Sequence, residues 1–336
     1  MQTVRLQDNK DGILIAAKLL QSGGVVAIPT ETVYGLAASA YSDEAIKKVF
    51  EAKGRPQDNP LIVHINSAQM LSEVACDIPE EAKKLAAAFW PGPLTMVLKK
   101  TERVAHSVSR GLDTVAVRMP SNKVALEIIE KAGLPLAAPS ANISGSPSPT
   151  TANHVICDLD GRIDGVVMSD DCSVGVESTV VTLATNPPRL LRPGAVTAEQ
   201  LLEFLPDLVI DKAVLAEPEK GEKVASPGMK YKHYSPKTQV YLVEGESEAY
   251  ADYVNQQKNA VAICFLEDVE NLKAKSLCYG SEADMDAQAQ KIFALLREAD
   301  ELGAEAIFVH APEKKGVGLA VYNRLIRAAA FRVIEL

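Results

Sequence analysis

The hydrophobic positions of this chain fall into short unbroken runs, each closed by turn residues, with longer amphipathic segments between them. The first run, Val25-Val26-Ala27-Ile28, meets Pro29 and then Thr30, Glu31, Thr32, Val33, Tyr34 and Gly35. A run of β-formers closed by proline predicts a buried strand that delivers its polar residues at the carboxyl end, where ligands sit in open α/β sheets. A plainer alternative is a strand, a proline stop and a helix capped by a threonine. Ser42-Asp43-Glu44 opens a helix with a cap and two acids, Ile46, Val49 and Phe50 form its apolar face, and Gly54 ends it. Further strands are predicted at 60–65, 94–98, 114–118, 134–138 and 165–168, helices at 79–89, 123–131 and 197–205, and a hairpin over 178–183 and 189–192. Residues 211–236 lose the periodicity and collect Pro218, Gly221, Pro227, Gly228 and Pro236, the composition of a linker. From residue 238 a second unit begins, with strands at 240–243, 261–265 and 306–310 and helices at 249–258, 283–302 and 319–330. That order predicts a small parallel-sheet domain.

At 336 residues, two domains are the natural expectation. Net charge is −9, and its distribution matters more than its sum: residues 1–210 hold 19 basic and 24 acidic residues, and 237–336 hold 11 and 16. Neither unit has the basic excess of a strong nucleic-acid binder, so any anion must be gripped in a pocket. That favours a small phosphorylated ligand over a polymer. Residues 1–12 are polar and mixed in charge, and no apolar run reaches the length of a membrane span, so a cytoplasmic protein is expected. The five cysteines (Cys76, Cys157, Cys172, Cys264, Cys278) are scattered, and most read as small buried hydrophobes rather than as a disulfide or zinc framework.

The chain has no phosphate-binding P-loop, no nucleophile elbow and no His-Glu-x-x-His. Gly316-Val317-Gly318 lacks the third glycine of a dinucleotide fingerprint. Candidate chemistry recurs instead at strand ends and helix ends: Thr32, Lys53, Arg55, Asn59, His64, Arg118, Ser140, Asn142, Ser178 and Arg192. Each has an ordinary structural reading, as a cap, a turn former or a hydrogen-bonded core residue. Arg118 is the exception, because an arginine closing an apolar strand must find an anion. Lys53, Arg55, Arg118 and Arg192 together suit a carboxylate and a triphosphate.

Pro29-Thr30-Glu31-Thr32-Val33-Tyr34-Gly35-Leu36, Lys53-x-Arg55, Arg118-Met119-Pro120, Ser140-Ala141-Asn142, Glu177-Ser178-Thr179-Val180 and Leu191-Arg192-Pro193-Gly194 resemble the YrdC-like domain of the threonylcarbamoyl-AMP synthases. The run from Pro227 through Lys230-Tyr231-Lys232-His233-Tyr234-Ser235 to Pro236 resembles the linker of that family's two-domain form. The resemblance spans essentially the whole chain, in order. It implies a YrdC-like twisted mixed sheet with flanking helices over 1–210, a linker contacting the active site over 211–237, and a smaller C-terminal Rossmann-like parallel α/β domain over 238–336. It implies synthesis of L-threonylcarbamoyl-adenylate and pyrophosphate from L-threonine, bicarbonate or CO2, and ATP, for a transferase complex that modifies tRNA. By the same resemblance, Thr32, His64, Arg118, Ala138 (through its backbone) and Ser178 line the threonine site. Arg55, Asn59, Thr114, Ser140, Ser148, Arg192 and Tyr234 contact ATP. Lys53, Arg55, Ser140 and Asn142 surround the reacting centre, and Mg²⁺ arrives with the triphosphate. No strong direct nucleic-acid binding and no membrane contact are expected. The rival class is a double-stranded RNA-binding or ribosome-maturation module, and the acidic balance argues against it. A hydrogenase-maturation transferase would carry zinc-finger and acylphosphatase-like sequence upstream. Glu31 has no evident role at this level.

Overall fold

The structure is a computed structural model that describes residues 2–55, 59–216 and 234–336. The greater part of the expected linker, including Lys230 to His233, lies outside the described residues. Eleven strands build the first sheet: β1 (Val4–Gln7), β2 (Val26–Ile28), β3 (Gly35–Ser39), β4 (Ile62–His64), β5 (Leu94–Lys99), β6 (Thr114–Arg118), β7 (Leu136–Ala137), β8 (Gly165–Met168), β9 (Thr179–Thr182), β10 (Arg189–Arg192) and β11 (Val209–Ile210). Their order is β1-β8-β2-β3-β7-β4-β6-β5-β9-β10-β11, with parallel and antiparallel pairs mixed. Five more strands, β12 (Gln239–Glu244), β13 (Ala260–Phe265), β14 (Lys275–Gly280), β15 (Ala306–His310) and β16 (Val333–Glu335), form a second sheet ordered β14-β13-β15-β12-β16. Every pair in it is parallel.

The opening stretch departs from the plainer reading of the sequence, while its polar residues do stand at the carboxyl end of a buried strand. β2 is a buried strand, but no helix follows; the chain reverses and pairs as the antiparallel strand β3, with Ile28 beside Gly35. β3 reads Gly-Leu-Ala-Ala-Ser, and these small residues are buried throughout. Low β-propensity concealed the strand, and burial on both faces overrides it. Thr30 is therefore not a helix cap. Its hydroxyl donates to the Val33 carbonyl at 2.6 Å and accepts from the Thr32 and Val33 amides, pinning the turn between the two strands.

The helix after Ser42 forms as predicted over Asp43–Lys53. Ser42 caps the Ala45 amide and Gly54 closes it in the left-handed conformation. This places Lys53 at the last position of the helix, buried, aimed at the loop after β7. The predicted hairpin is β9 and β10, paired antiparallel. Its start needs Gly194, where a Cβ would stand 2.4 Å from the Thr179 amide nitrogen. Strands β1, β14 and β16 carry no apolar run strong enough to be read from sequence. Each is an edge strand, where one side of the ladder is free.

The two units share a closely fitted contact. Val33, Val176 and Tyr234 pack into the apolar core of the C-terminal unit. Gly175 has φ +81°, and a Cβ there would stand 2.3 Å from the Gln290 Cα, so only glycine fits. Arg297 forks onto both Asp158 carboxylate oxygens, at 3.0 and 2.8 Å, across the same junction.

Candidate active site

The strand order brings the polar segments to one partly open cavity, the concave kind of site that small molecules use. Parallel pairing of β4 with β6 sets His64 beside Arg118 at their carboxyl ends. β5 runs antiparallel to β6, with Thr95 opposite Arg118. The start of β9 then brings Ser178 alongside, its Oγ 2.7 Å from the Thr95 hydroxyl. After β7 the chain runs back along Ile62, whose carbonyl accepts from the Ala138 amide, and reaches Ser140 and Asn142. The cavity thus has two ends, one around Arg118 and one around Lys53.

At the first end a guanidinium is held on three sides. Arg118 donates from Nη1 to Thr32 Oγ1 at 2.8 Å and from Nε to the Gly92 carbonyl at 3.2 Å, and Nη2 lies 2.7 Å from Glu31 Oε1. Thr30 and Thr32 hydroxyls lie 2.9 Å apart; since Thr30 donates to Val33, Thr32 is the donor between them. Both members of the Arg118–Glu31 pair are under 10% exposed. Burial alone would raise the Glu31 carboxyl, but Arg118 and the Ser121 amide hold it below the usual carboxylate range. Glu31, unexplained by the sequence, is the counter-ion that pairs with Arg118 and aims it.

His64 is buried, and burial first, then the Arg118 charge, drops it to about 3. It is a neutral imidazole, and its Nδ1 has no hydrogen-bond partner among the described residues. Ser178 receives Arg192 twice, Nε on its carbonyl at 3.0 Å and Nη2 on its hydroxyl at 3.2 Å. Burial lowers Arg192 to about 10, so it stays a cation at neutral pH.

At the second end Lys53 is 2% exposed. Its Nζ donates to the Ser140 carbonyl, to the Asn142 carbonyl at 2.7 Å and, at 3.4 Å, to Asn142 Oδ1. Ser140 Oγ donates to that same amide oxygen at 2.6 Å, and Asn142 Nδ2 donates to the carbonyls of Ile143 and Ser146. Desolvation pulls the Lys53 ammonium well below the usual lysine range.

Of the residues singled out from sequence, Thr32, Lys53, Arg55, His64, Arg118, Ala138, Ser140, Asn142, Ser178, Arg192 and Tyr234 line this cavity. Asn59, Thr114 and Ser148 do not. Thr114 begins β6, roughly 13 Å of strand from Arg118 at about 3.3 Å per residue. The β4–β6 register, continued two residues back from Ile62 and Ala116, sets Pro60 beside Thr114, so Asn59 and Thr114 share the amino-terminal edge of the two strands. Ser148 is fully buried behind the wall and donates to Glu177 Oε1.

Two residues of the site were missed. Glu177 lines the cavity, and its Oε2 accepts at 2.7 Å from Nε of Arg324, which is fully buried on the C-terminal helix Gly316–Ala328. Glu177 stands in a motif noted from sequence, where only its neighbour Ser178 was singled out. Arg324 carries no sequence signal, because a polar residue on an amphipathic helix reads as its solvated face. Cys172 is buried and its thiol is pushed up to about 12, which leaves it no nucleophilic thiolate.

Among the described residues no cluster of three or more His, Cys, Asp or Glu side chains could hold a metal, and no helix is long and apolar enough to cross a membrane.

The family described as Telomere recombination matches residues 18–194, and the one described as Threonylcarbamoyl-AMP synthase, C-terminal domain, matches residues 196–330. The threonylcarbamoyl-AMP synthase of Pyrococcus abyssi (strain GE5 / Orsay) is 45% identical over 333 residues, covering 96% of each chain. That of Bacillus subtilis (strain 168) is 44% identical over 339 residues, covering 99% of this chain and 97% of the other. Among solved structures, the crystal structure of P. abyssi Sua5 complexed with L-threonine is similar at a TM-score of 0.90 and 41% identity, with 100% of both chains covered.

Proposed function

The chain belongs to the threonylcarbamoyl-AMP synthase family, and from that premise we propose how its cavity divides the reaction among its residues. The enzyme is an ATP-using nucleotidyltransferase that makes L-threonylcarbamoyl-AMP and pyrophosphate from L-threonine, bicarbonate or CO2, and ATP. The observation that carries the division is one cavity, in a chain of net charge −9, lined by Lys53, Arg55, Arg118 and Arg192. Local cations, not overall charge, hold its anions.

Arg118 takes the threonine carboxylate, while the Thr32 and Ser178 hydroxyls, the neutral His64 and the Ala138 backbone receive the other polar atoms. Arg55, Ser140, Arg192 and Tyr234 take ATP from several sides, with Asn59 and Thr114 at the outer edge and Ser148 acting through Glu177. The threonine amine adds to the carbon of CO2 and loses a proton, giving a carbamate. A carbamate oxygen then attacks the α-phosphorus, and the bond to the β-phosphate oxygen breaks to release pyrophosphate. Lys53, Ser140 and Asn142 present a rigid polar wall to the reacting atoms, so the protein contributes position and field rather than a covalent nucleophile. Mg²⁺ enters as part of the MgATP substrate, since Glu31 and Glu177, the two acids of the site, are committed to arginines. The adenylate then passes to a transferase system acting on tRNA.

Pyrophosphate release measured with each substrate omitted in turn tests this reading. Release should require all three, with serine a poor substitute and the adenylate visible by mass. Release that is unaffected by omitting bicarbonate refutes the carbamate step.

A further inference from the structure

Arg324 of the C-terminal unit reaches the back of the cavity wall and has no exposed surface at all. It makes three directed contacts: Nε to Glu177 Oε2 at 2.7 Å, Nη2 to the Glu177 carbonyl at 3.0 Å, and Nη1 to Asn323 Oδ1 at 2.8 Å. Asn323 donates in turn to the Val214 carbonyl at 2.5 Å, which ties the same helix to the end of the first unit. The Arg324 guanidinium also lies 5.8 Å from the centre of the Tyr234 ring. Glu177 fills its other oxygen with the Ser148 hydroxyl and precedes Ser178, which Arg192 grips through both its carbonyl and its hydroxyl.

We propose that Arg324 is a positioning residue of the active site, through which the C-terminal domain neutralises Glu177 and fixes the Glu177–Ser178 wall against which ATP binds. The inference rests on the activity proposed above. A carboxylate on the wall of a site that binds a triphosphate is harmful unless a cation answers it, because burial strips away the water that would screen it. The groups that face Glu177 are Arg324 from the C-terminal helix, Arg192 from β10, Lys53 from the helix Asp43–Lys53, the Ser148 hydroxyl and Tyr234. Among the described cations that face it, Arg324 touches its carboxylate from behind the cavity, whereas Arg192 and Lys53 line the cavity itself. This gives the second domain a chemical task in the reaction.

The experiment is steady-state pyrophosphate release by the full chain, with ATP varied at saturating threonine and bicarbonate, for wild type, Arg324→Gln, Arg324→Lys and Arg324→Gln with Glu177→Gln. Arg324→Gln should raise KM for ATP by about tenfold or more, since it leaves a buried carboxylate without its partner. Adding Glu177→Gln to Arg324→Gln should recover most of the loss, and Arg324→Lys should stay within a few-fold of wild type. A purely structural role would lower the amount of active enzyme and leave KM unmoved. The proposal is overturned if the double variant binds ATP no better than Arg324→Gln, or if Arg324→Lys loses as much as Arg324→Gln. Should Arg324→Gln not fold, the lysine variant alone decides in the same way. Wild-type enzyme that releases no pyrophosphate would instead refute the proposed activity, so the two failures are distinct.

Discussion

Replacing Glu31 with glutamine tests the electrostatics of the threonine end directly. Glu31 Oε1 meets Arg118 Nη2 at 2.7 Å and accepts from the Ser121 amide at 3.1 Å, with both side chains almost wholly out of water. An amide oxygen can keep both contacts but not the charge. Removing one member of a buried ion pair costs about 3–5 kcal/mol. The retained neutral hydrogen bond offsets about 1 kcal/mol. The ligand-free variant should therefore lose about 2–4 kcal/mol, which corresponds to roughly 6–12 °C in Tm at about 3 °C per kcal/mol for a domain of this size. Bound threonine brings a carboxylate to Arg118 and supplies the missing charge. The threonine-induced rise in Tm should thus be larger in Glu31→Gln than in wild type, read by thermal-shift fluorescence with and without saturating threonine. The pH dependence has a fixed sign. Arg118 holds the folded-state Glu31 below its unfolded value, so its contribution is present above the ordinary carboxylate range and is lost as pH falls through the lowered value. The gap between wild type and variant should therefore close in acid. An unchanged Tm, or equal threonine shifts in the two proteins, would refute the reasoning.

Other perturbations reach the remaining parts of the site. His64 is depressed to about 3, so the unfolded chain binds its proton near pH 6.5 and the folded chain does not; stability should fall as pH drops from about 6.5 towards 3, and a denaturation series on His64→Gln should show a flatter decline. Across the ordinary imidazole range around pH 6.5 the threonine KM should show no histidine titration. Lys53→Met removes three acceptor contacts and should cut pyrophosphate release by about a hundredfold while leaving Tm within a few degrees, measured on purified protein. Gly194→Ala forces a methyl to within 2.4 Å of the Thr179 amide and should destabilise the chain by about 1–3 kcal/mol in urea unfolding.

Much of this protein is set by sequence-local physics. The runs at 114–118, 165–168 and 306–310 are strands with the predicted bounds, because continuous apolar β-formers have no soluble alternative. Ser42 and Gly54 mark their helix, because orphan amides and carbonyls at helix ends need those partners and that backbone. The motif residues at strand ends were legible for a similar reason: a cation closing an apolar strand demands an anion. Tertiary structure decided what local pattern cannot encode. β3 is a strand because β2 and β7 pair both its edges and its small residues are buried throughout, which only the assembled sheet determines. Glu31 gained its role when β6 carried Arg118 to it across 87 residues of chain. Arg324 came to stand behind the cavity wall, on Glu177, only when the second domain docked. A charged residue on a helix looks solvated from its own sequence, and only the surface packed over it removes the water and makes the charge count.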